Sequence, residues 1–172
     1  MIYVIGSSSL KKELKNLGLS VHEEDHSNEV YSEEEMSNIK IHKDIGCVLV
    51  GYESKLNNFK LAFAHQIFQQ NEDVRYIATN LDATLPYGDT FLPGTGTVMG
   101  FLNVVLNKEP DYVCGKPNKE LFNIIKSQFK DLDLERSCMI GDRLGNFLYS
   151  IFLKFFFFLD TDIKMVFFIN FF

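Results

Sequence analysis

The sequence is poor in the residues that mark several functional classes. Its 172 residues include no tryptophan, four prolines and three cysteines. Cys47, Cys114 and Cys138 occur singly inside apolar runs, and such an odd, scattered set is typical of buried free thiols in a reducing compartment. A disulfide framework and a structural zinc site are therefore not expected, and we expect a cytoplasmic location.

An excess of basic residues is also absent. Seventeen Lys and Arg stand against 23 Asp and Glu, which gives a net charge of −6. Because nucleic-acid surfaces need clustered positive charge, no nucleic-acid partner is expected. A membrane-spanning helix needs about 20 apolar residues, whereas the run at 147–159 has 13 residues and contains Lys154. A membrane partner is therefore not expected either.

What the sequence does contain is an alternation of short apolar strands and amphipathic helices. The clearest strand is IGCVLVGYE at 45–53, which is rich in β-branched residues. The polar stretch 25–39 is predicted to be a solvated loop or a weak helix. Short connections predict an α/β fold with mostly parallel strands. Further strands are predicted at 2–6, 19–24, 74–80, 111–115 and 137–142, and helices at 7–18, 57–71, 96–107 and 118–129.

Residues 22–26 read HEEDH, a literal H-E-x-x-H. In zinc proteases this spacing places two histidines on one helical face, with the glutamate beside the metal-bound water. Here the motif follows a strand-like segment and lies in an acidic stretch without amphipathic periodicity. We interpret it as a solvated strand end and loop, and a metalloprotease is the disfavoured alternative.

The glycine-rich stretch LPGTGT at 92–97 precedes a predicted helix. Backbone N–H groups at such a helix start can bind a phosphate. The stretch lacks the Gly-Lys-Ser/Thr ending of a P-loop, so we predict a loop-to-helix turn without nucleotide binding.

Two charged residues follow predicted strands at positions suited to phosphate chemistry. Lys116 follows a strand and precedes a helix start, where its ammonium can face an anion. Asp142 stands in a Gly-Asp turn after another apolar strand and can offer a carboxylate to Mg²⁺. In open α/β sheets, ligands gather at the carboxyl ends of strands. Taken together, the two residues indicate a generic phosphate-and-metal arrangement.

Several blocks in a fixed order carry a family resemblance. They are RYIATNLDATLP, FLPGTGTVMGFL, EPDYVCGKPNKELFNII and SCMIGDRL. Each block is weak alone, but together, within residues 1–144, they resemble the 4-nitrophenylphosphatase and phosphoglycolate phosphatase branch of the haloacid-dehalogenase-like (HAD-like) hydrolases. The resemblance implies an α/β, HAD-like fold in which a Rossmann-like core, incomplete here, carries an α/β cap of the second type.

The resemblance also implies residue roles. Lys116 matches the lysine of the family's third motif, which holds the transferring phosphoryl group, and Asp142 matches the fourth-motif aspartate that binds Mg²⁺. Thr79, Asn80 and Asp82 match a cap block that either contacts substrate or stabilises a turn. The implied activity is Mg²⁺-dependent hydrolysis of small phosphomonoesters, such as 4-nitrophenyl phosphate or phosphoglycolate, through an aspartyl phosphate. The implied partners are a small phosphorylated metabolite and a second copy of the chain, bound through the cap.

The sequence departs from the family at its catalytic start. The D-x-D-G segment that supplies the nucleophile and the general acid does not occur, and DLDL at 131–134 has leucine where glycine is needed. Residues 1–19 resemble the segment just downstream of the second motif. We therefore expect a fragment that is inactive alone. The alternative is a non-catalytic fragment or pseudoenzyme whose cap still binds a ligand or dimerises.

The fourth motif is split in two. GDRL at 141–144 and DTDIK at 160–164 would be continuous without the intervening 145–159. We expect 145–159 to be translated intron and 165–172 to be a second read-through, with a genuine insertion in a diverged paralogue as the alternative. Asp160 and Asp162 are secondary metal-ligand candidates if the insert is spurious.

These blocks predict a domain division. Residues 1–108 are expected to form mainly the cap, with 1–24 as a preceding core-like strand-helix-strand segment. Residues 109–144 are expected to form the C-terminal part of the core, and 145–172 an aberrant phenylalanine-rich tail interrupted by DTDIK.

Overall fold

A computed structural model describes residues 1–24, 26–27, 31–115 and 118–132 of the chain. The chain divides into two compact units, residues 1–113 and 114–172. The elements in chain order are β1 (Ile2–Ile5), α1 (Ser8–Asn16), α2 (Glu33–Ser37), β2 (Cys47–Val50), α3 (Asn58–Gln70), β3 (Arg75–Ala78), β4 (Thr84–Tyr87), β5 (Thr90–Pro93), α4 (Thr95–Leu106), β6 (Tyr112–Val113) and α5 (Lys119–Gln128).

The first unit is built on a four-stranded sheet in the order β1-β2-β3-β6. All three pairings are parallel, with Ile2 opposite Cys47 and Cys47 opposite Arg75. Helical crossovers connect these strands, as parallel pairing requires. The α/β class and the parallel sheet predicted from the sequence are therefore confirmed.

The core of this unit lies between the sheet and helices α3 and α4. Ile5, Val48, Val50 and Tyr76 are fully buried strand residues, and they belong to the same apolar cluster as Leu102 of α4. Continuous apolar strands are expected where a parallel sheet is covered by helices. The second, smaller cluster contains Val4, Val21 and Leu49, with Leu10 and Leu14 of α1 packed against it.

Two local predictions need correction, and for the 25–39 stretch the structure agrees with the weak-helix alternative. The strand predicted at 19–24 is reduced to an isolated parallel bridge between Val21 and Ile2. Within the polar 25–39 stretch, Ser32 and Glu35 form a reciprocal capping box that starts the short helix α2. Cys47 is half-buried and Cys114 is exposed, so neither thiol is fully buried as the apolar context had suggested.

The antiparallel hairpin β4–β5 is absent from the sequence-based prediction. Tyr87 pairs with Thr90, so the connection has two residues, and Gly88 adopts a positive φ of 56°. Two-residue hairpin turns favour glycine because they need a left-handed backbone. The strand β5 takes up the first residues of LPGTGT, and Gly94 is the N-cap of α4. The predicted loop-to-helix turn is therefore present, but it is shorter than the motif.

The described part of the second unit consists mainly of α5, which begins after Asn118 as the sequence indicated. The predicted strand at 137–142 lies outside the described residues. The predicted domain division at 108–109 stays a prediction. Strand β1 belongs to residues 1–24, the segment predicted to be core-like, and it shares one sheet with β2 and β3. Within the described residues, no helix combines the length and apolar character needed to cross a membrane.

Candidate functional site

The carboxyl ends of β1, β2 and β3 lie side by side at one edge of the sheet. Hydrogen bonds continue past the strands, since Gly51 N–H donates to Ile5 O (2.8 Å) and Thr79 N–H donates to Val50 O (2.8 Å). Polar loops leave the sheet at this edge, beginning at Ser7, Tyr52 and Thr79. Ligands bind at this edge in open parallel sheets, so the carboxyl ends of β1, β2 and β3 are the candidate site.

A cavity of about 490 Å³ opens beside the ends of β1 and β2. Its wall includes the start of α1, where Ser7 Oγ accepts a hydrogen bond from Leu10 N–H (3.3 Å). Three lysines of α1 line it, and so do acidic and hydroxyl side chains from the facing loops. The helix N-terminus and the lysines make the α1 side suitable for an anion. The lining residues on which this depends are Ser7, Lys11, Lys12, Lys15, Glu23 and Glu53.

A buried ion pair underlies one side of this cavity. Lys60 Nζ donates to Glu53 Oε2 (2.8 Å) and to Ser27 Oγ (2.6 Å). Glu53 and Ser27 line the cavity, whereas Lys60 belongs to α3 and is buried. The lysine therefore compensates a carboxylate that would otherwise oppose anion binding. Sequence reasoning missed this pair because Lys60 interrupts the apolar run NFKLAFA without any local signal of its partner.

The predicted cap block lies just after β3. Asn80 Nδ2 donates to Thr79 Oγ1 (3.2 Å), and Asn80 Oδ1 accepts from Asp82 N–H (3.0 Å). Asp82 O in turn accepts from Gly96 N–H (2.9 Å). Thr79 and Asn80 are half-buried and Asp82 is exposed. The three residues thus form a turn packed on the start of α4, and their role in substrate contact stays a prediction.

The HEEDH segment is not helical where the structure describes it, and Val21, just before it, makes a parallel bridge to Ile2. Glu23, which would be the general base of a zinc protease, instead pairs with Lys15 (Oε2–Nζ, 2.6 Å). Glu24 lies with the two histidines, its Oε2 being 3.7 Å from His22 Nε2 and 3.4 Å from His26 Nε2. Burial lowers the pKa of His22 more than the neighbouring Glu24 carboxylate raises it. The protease arrangement is therefore not formed, but a different cluster is.

Comparison with known proteins identifies the family. Residues 113–146, which contain both GKPN and GDRL, match the HAD-hydrolase-like family. A 4-nitrophenylphosphatase of Schizosaccharomyces pombe is 28% identical over 146 residues, which cover 84% of this chain and 48% of that protein. A glycerol-3-phosphate phosphatase of Gallus gallus is 31% identical over 122 residues, covering 70% and 34%. The chain belongs to the HAD-like hydrolases.

Solved structures agree with this HAD-like assignment. A p-nitrophenyl phosphatase from Archaeoglobus fulgidus has a TM-score of 0.69 at 24% identity, covering 88% of this chain and 51% of that one. A glycerol phosphate phosphatase from Mycobacterium tuberculosis in complex with magnesium has a TM-score of 0.56 at 21% identity, covering 75% and 34%. At these identities the likeness concerns the fold. The chain spans about half the length, or less, of the curated relatives it matches.

Four residues assigned by resemblance to the HAD-like hydrolases lie outside the described part of the chain: Lys116, Asp142, Asp160 and Asp162. Their immediate surroundings are partly described. Asn118, two residues after Lys116, donates to Gly115 O through its backbone N–H (3.1 Å) and its side-chain amide (3.3 Å). The roles of all four residues stay predictions.

Proposed function

We propose that this chain is part of a Mg²⁺-dependent phosphatase that hydrolyses small phosphomonoesters. The observation that carries the proposal is the family match at 113–146, because it contains both Lys116 and Asp142. The parallel sheet and its polar carboxyl edge support it. Relatives named as 4-nitrophenylphosphatase and glycerol-3-phosphate phosphatase support a small phosphate ester as the substrate.

In this proposal each residue has a limited task. Lys116 places a positive charge against the phosphoryl group and offsets the charge of an attacking carboxylate. Asp142 supplies an oxygen ligand of the kind that Mg²⁺ prefers, and Asp160 and Asp162 join it if 145–159 is spurious. The metal would neutralise phosphate charge when bound. Thr79, Asn80 and Asp82 would form part of the substrate-facing cap.

The chain alone is proposed to be inactive, because its 172 residues contain no D-x-D-G segment. The test compares three proteins with 4-nitrophenyl phosphate and Mg²⁺. They are this chain, a fusion carrying the D-x-D-G-containing N-terminal part of the S. pombe relative, and the same fusion without 145–159 and 165–172. Turnover is expected only from fused proteins, and it should be highest in the third. Turnover by the chain alone that Lys116→Ala abolishes would overturn the proposed inactivity, and a folded third protein without turnover would overturn the phosphatase assignment.

A non-catalytic role in dimerisation is the second candidate, and one surface favours it. Phe101, Val104 and Val105 of α4 are exposed, Val104 to 80%. Exposed neighbouring apolar side chains are typical of protein–protein contacts. We propose a homodimer formed through this part of the cap. Sedimentation should show a dimer that Val104→Asp dissociates, whereas Leu17→Asp, at a residue exposed to 75% on the end of α1, should leave it intact.

A cytoplasmic location is proposed from the thiols. The three cysteines occur singly along the sequence and are odd in number, which suits a reducing compartment. A fluorescent fusion expressed from the native gene would test this, and a signal confined to a secretory compartment would contradict it.

A further inference from the structure

We propose that His22, Glu24 and His26 form a binding site for a transition-metal ion of the zinc class. This site uses none of the residues assigned above to Mg²⁺. It does not depend on the phosphatase proposal, because no residue of the proposed catalytic set takes part in it. Its sequence signature is H-x-E-x-H, in register with HEEDH but using the second glutamate in place of the first.

The three side chains already lie close to the spacing that a metal requires. Their ligand atoms all fall within 4.8 Å of one another. Metal–nitrogen and metal–oxygen bonds of about 2.1 Å in a tetrahedron place neighbouring ligand atoms about 3.4 Å apart. The Glu24–His26 separation is 3.4 Å and the Glu24–His22 separation is 3.7 Å. The two imidazole nitrogens lie within 4.8 Å of each other, so binding needs the histidine rings to move closer together.

The backbone of His22 is held at the edge of the sheet, and the two glutamates that follow it take different partners. Val21 makes a parallel bridge to Ile2, and His22 N–H donates to Ile2 O (2.8 Å). The Glu24 carboxylate lies 3.7 Å from His22 Nε2, while Glu23 pairs with Lys15. The helical geometry of a protease motif would have grouped different residues.

Aromatic contacts hold both imidazole rings in place. The ring centroid of His22 lies 5.2 Å from that of Phe63 and 5.8 Å from that of Tyr3. The ring of His26 lies 4.4 Å from Phe59. These contacts fix the rings before a metal arrives, so little side-chain ordering accompanies binding.

Hydrogen bonding directs the correct ring nitrogen inward. His26 Nδ1 lies 3.1 Å from Tyr31 Oη, which leaves Nε2 on the Glu24 side. A partner on the distal ring nitrogen is the usual way in which proteins orient a histidine ligand. His22 Nε2 is buried and makes no hydrogen bond within the described part of the chain. A metal would satisfy that nitrogen.

The ligand chemistry selects the class of ion. Two imidazoles and one carboxylate suit Zn²⁺ and its neighbours, whereas Mg²⁺ prefers oxygen ligands and retains its waters. The Glu24 side chain is exposed to 66%, so an ion can enter from solvent on that side. Three protein ligands leave at least one position for water or another molecule.

The test is a calorimetric titration of the full chain with Zn²⁺ at neutral pH, repeated in excess Mg²⁺. One high-affinity site that Mg²⁺ does not displace is expected. Glu24→Gln should raise the dissociation constant for Zn²⁺ by more than about tenfold. Because this side chain is exposed, the variant should fold. His22→Gln and His26→Gln should weaken binding similarly. The matched controls, Glu23→Gln and His65→Gln, should leave the affinity within about twofold of the parent.

Absorption spectra of the Co²⁺-loaded protein distinguish binding at the two histidines and Glu24 from binding at a cysteine thiolate. Bound Co²⁺ should give tetrahedral or five-coordinate ligand-field bands without thiolate charge transfer. Thermal unfolding of each variant without metal provides the folding control. Absence of a high-affinity site, equal loss in Glu23→Gln and Glu24→Gln, or a thiolate band that Glu24→Gln does not change would each overturn the proposal.

Discussion

Lys60 Nζ lies 2.8 Å from Glu53 Oε2, and the two side chains are only 4% and 7% exposed. The pair joins α3 to the loop after β2 and forms part of the structure beneath the cavity. Removing one partner would leave a buried charge without compensation, which is among the larger effects of a single substitution.

We therefore expect Lys60→Met to lower the free energy of unfolding by about 3–5 kcal/mol, measured by urea denaturation. Glu53→Leu combined with Lys60→Met should recover much of this loss, because both charges are then gone. The control is Lys15→Met, which breaks the exposed Lys15–Glu23 pair and should change stability by less than about 1 kcal/mol. Equal effects of Lys60→Met and Lys15→Met would contradict the buried role.

A second prediction concerns Gly94, at the junction between the hairpin and α4. A Cβ there would collide with the carbonyl oxygen of Asp82 and would lie 3.1 Å from Thr84 N. Gly94→Ala should therefore lower stability by at least about 1–3 kcal/mol, since backbone atoms must shift.

Gly100, within α4, is the matched control because a Cβ there meets nothing within 4 Å. Gly100→Ala should raise stability by about 0.5–1 kcal/mol, since alanine is the better helix former. Thermal unfolding of both variants checks the pair, and a stable Gly94→Ala protein would show that the turn around Asp82 is not fixed as described.

A third prediction concerns acid stability at the β3–β6 edge. Asp111 N–H donates to Tyr76 O (2.8 Å), and Asp111 Oδ2 accepts from Tyr76 N–H (2.7 Å). Burial alone would raise the pKa of Asp111, but the hydrogen bonds from Tyr76 and Lys108 outweigh it, and the pKa lies below the ordinary value of 3.8. This stabilisation is present above the ordinary value and is lost as the pH falls through the lower, folded-state value.

Asp111→Asn should therefore reduce stability by about 1–2 kcal/mol at neutral pH. The difference between the parent and the variant should shrink as the pH falls below 3.8. Urea denaturation across that acidic range measures it, and a difference that is independent of pH would show that the carboxylate charge contributes nothing.

A fourth prediction concerns Lys116 in the fusion protein that carries a D-x-D-G segment. Lys116→Ala should lower kcat by about 10²-fold or more, because a charge that stabilises the transferring phosphoryl group is lost. Lys119→Ala, on the exposed first residue of α5, is the control and should leave kcat nearly unchanged. Steady-state hydrolysis of 4-nitrophenyl phosphate measures both, and equal kcat values would exclude the assigned role.

The sequence by itself determined the parallel α/β sheet and most of its helices. The run CVLV is continuously apolar and rich in β-branched residues, and the helix N-caps Ser7 and Asn57 are local signals. The family blocks also contained Lys116 and Asp142, because those residues belong to short motifs that can be read in one dimension.

Only the tertiary structure decided which polar side chains meet. The Lys60–Glu53 pair, the hydrogen bonds of Asp111 to Tyr76 and the grouping of His22 with Glu24 and His26 each depend on how separate segments pack or extend. The HEEDH letters are compatible with a helical protease motif, in which Glu23 would accompany the two histidines. In the described part of this segment no helix forms, Glu23 pairs with Lys15, and Glu24 lies beside both histidines. The choice of ligand set therefore followed from the fold.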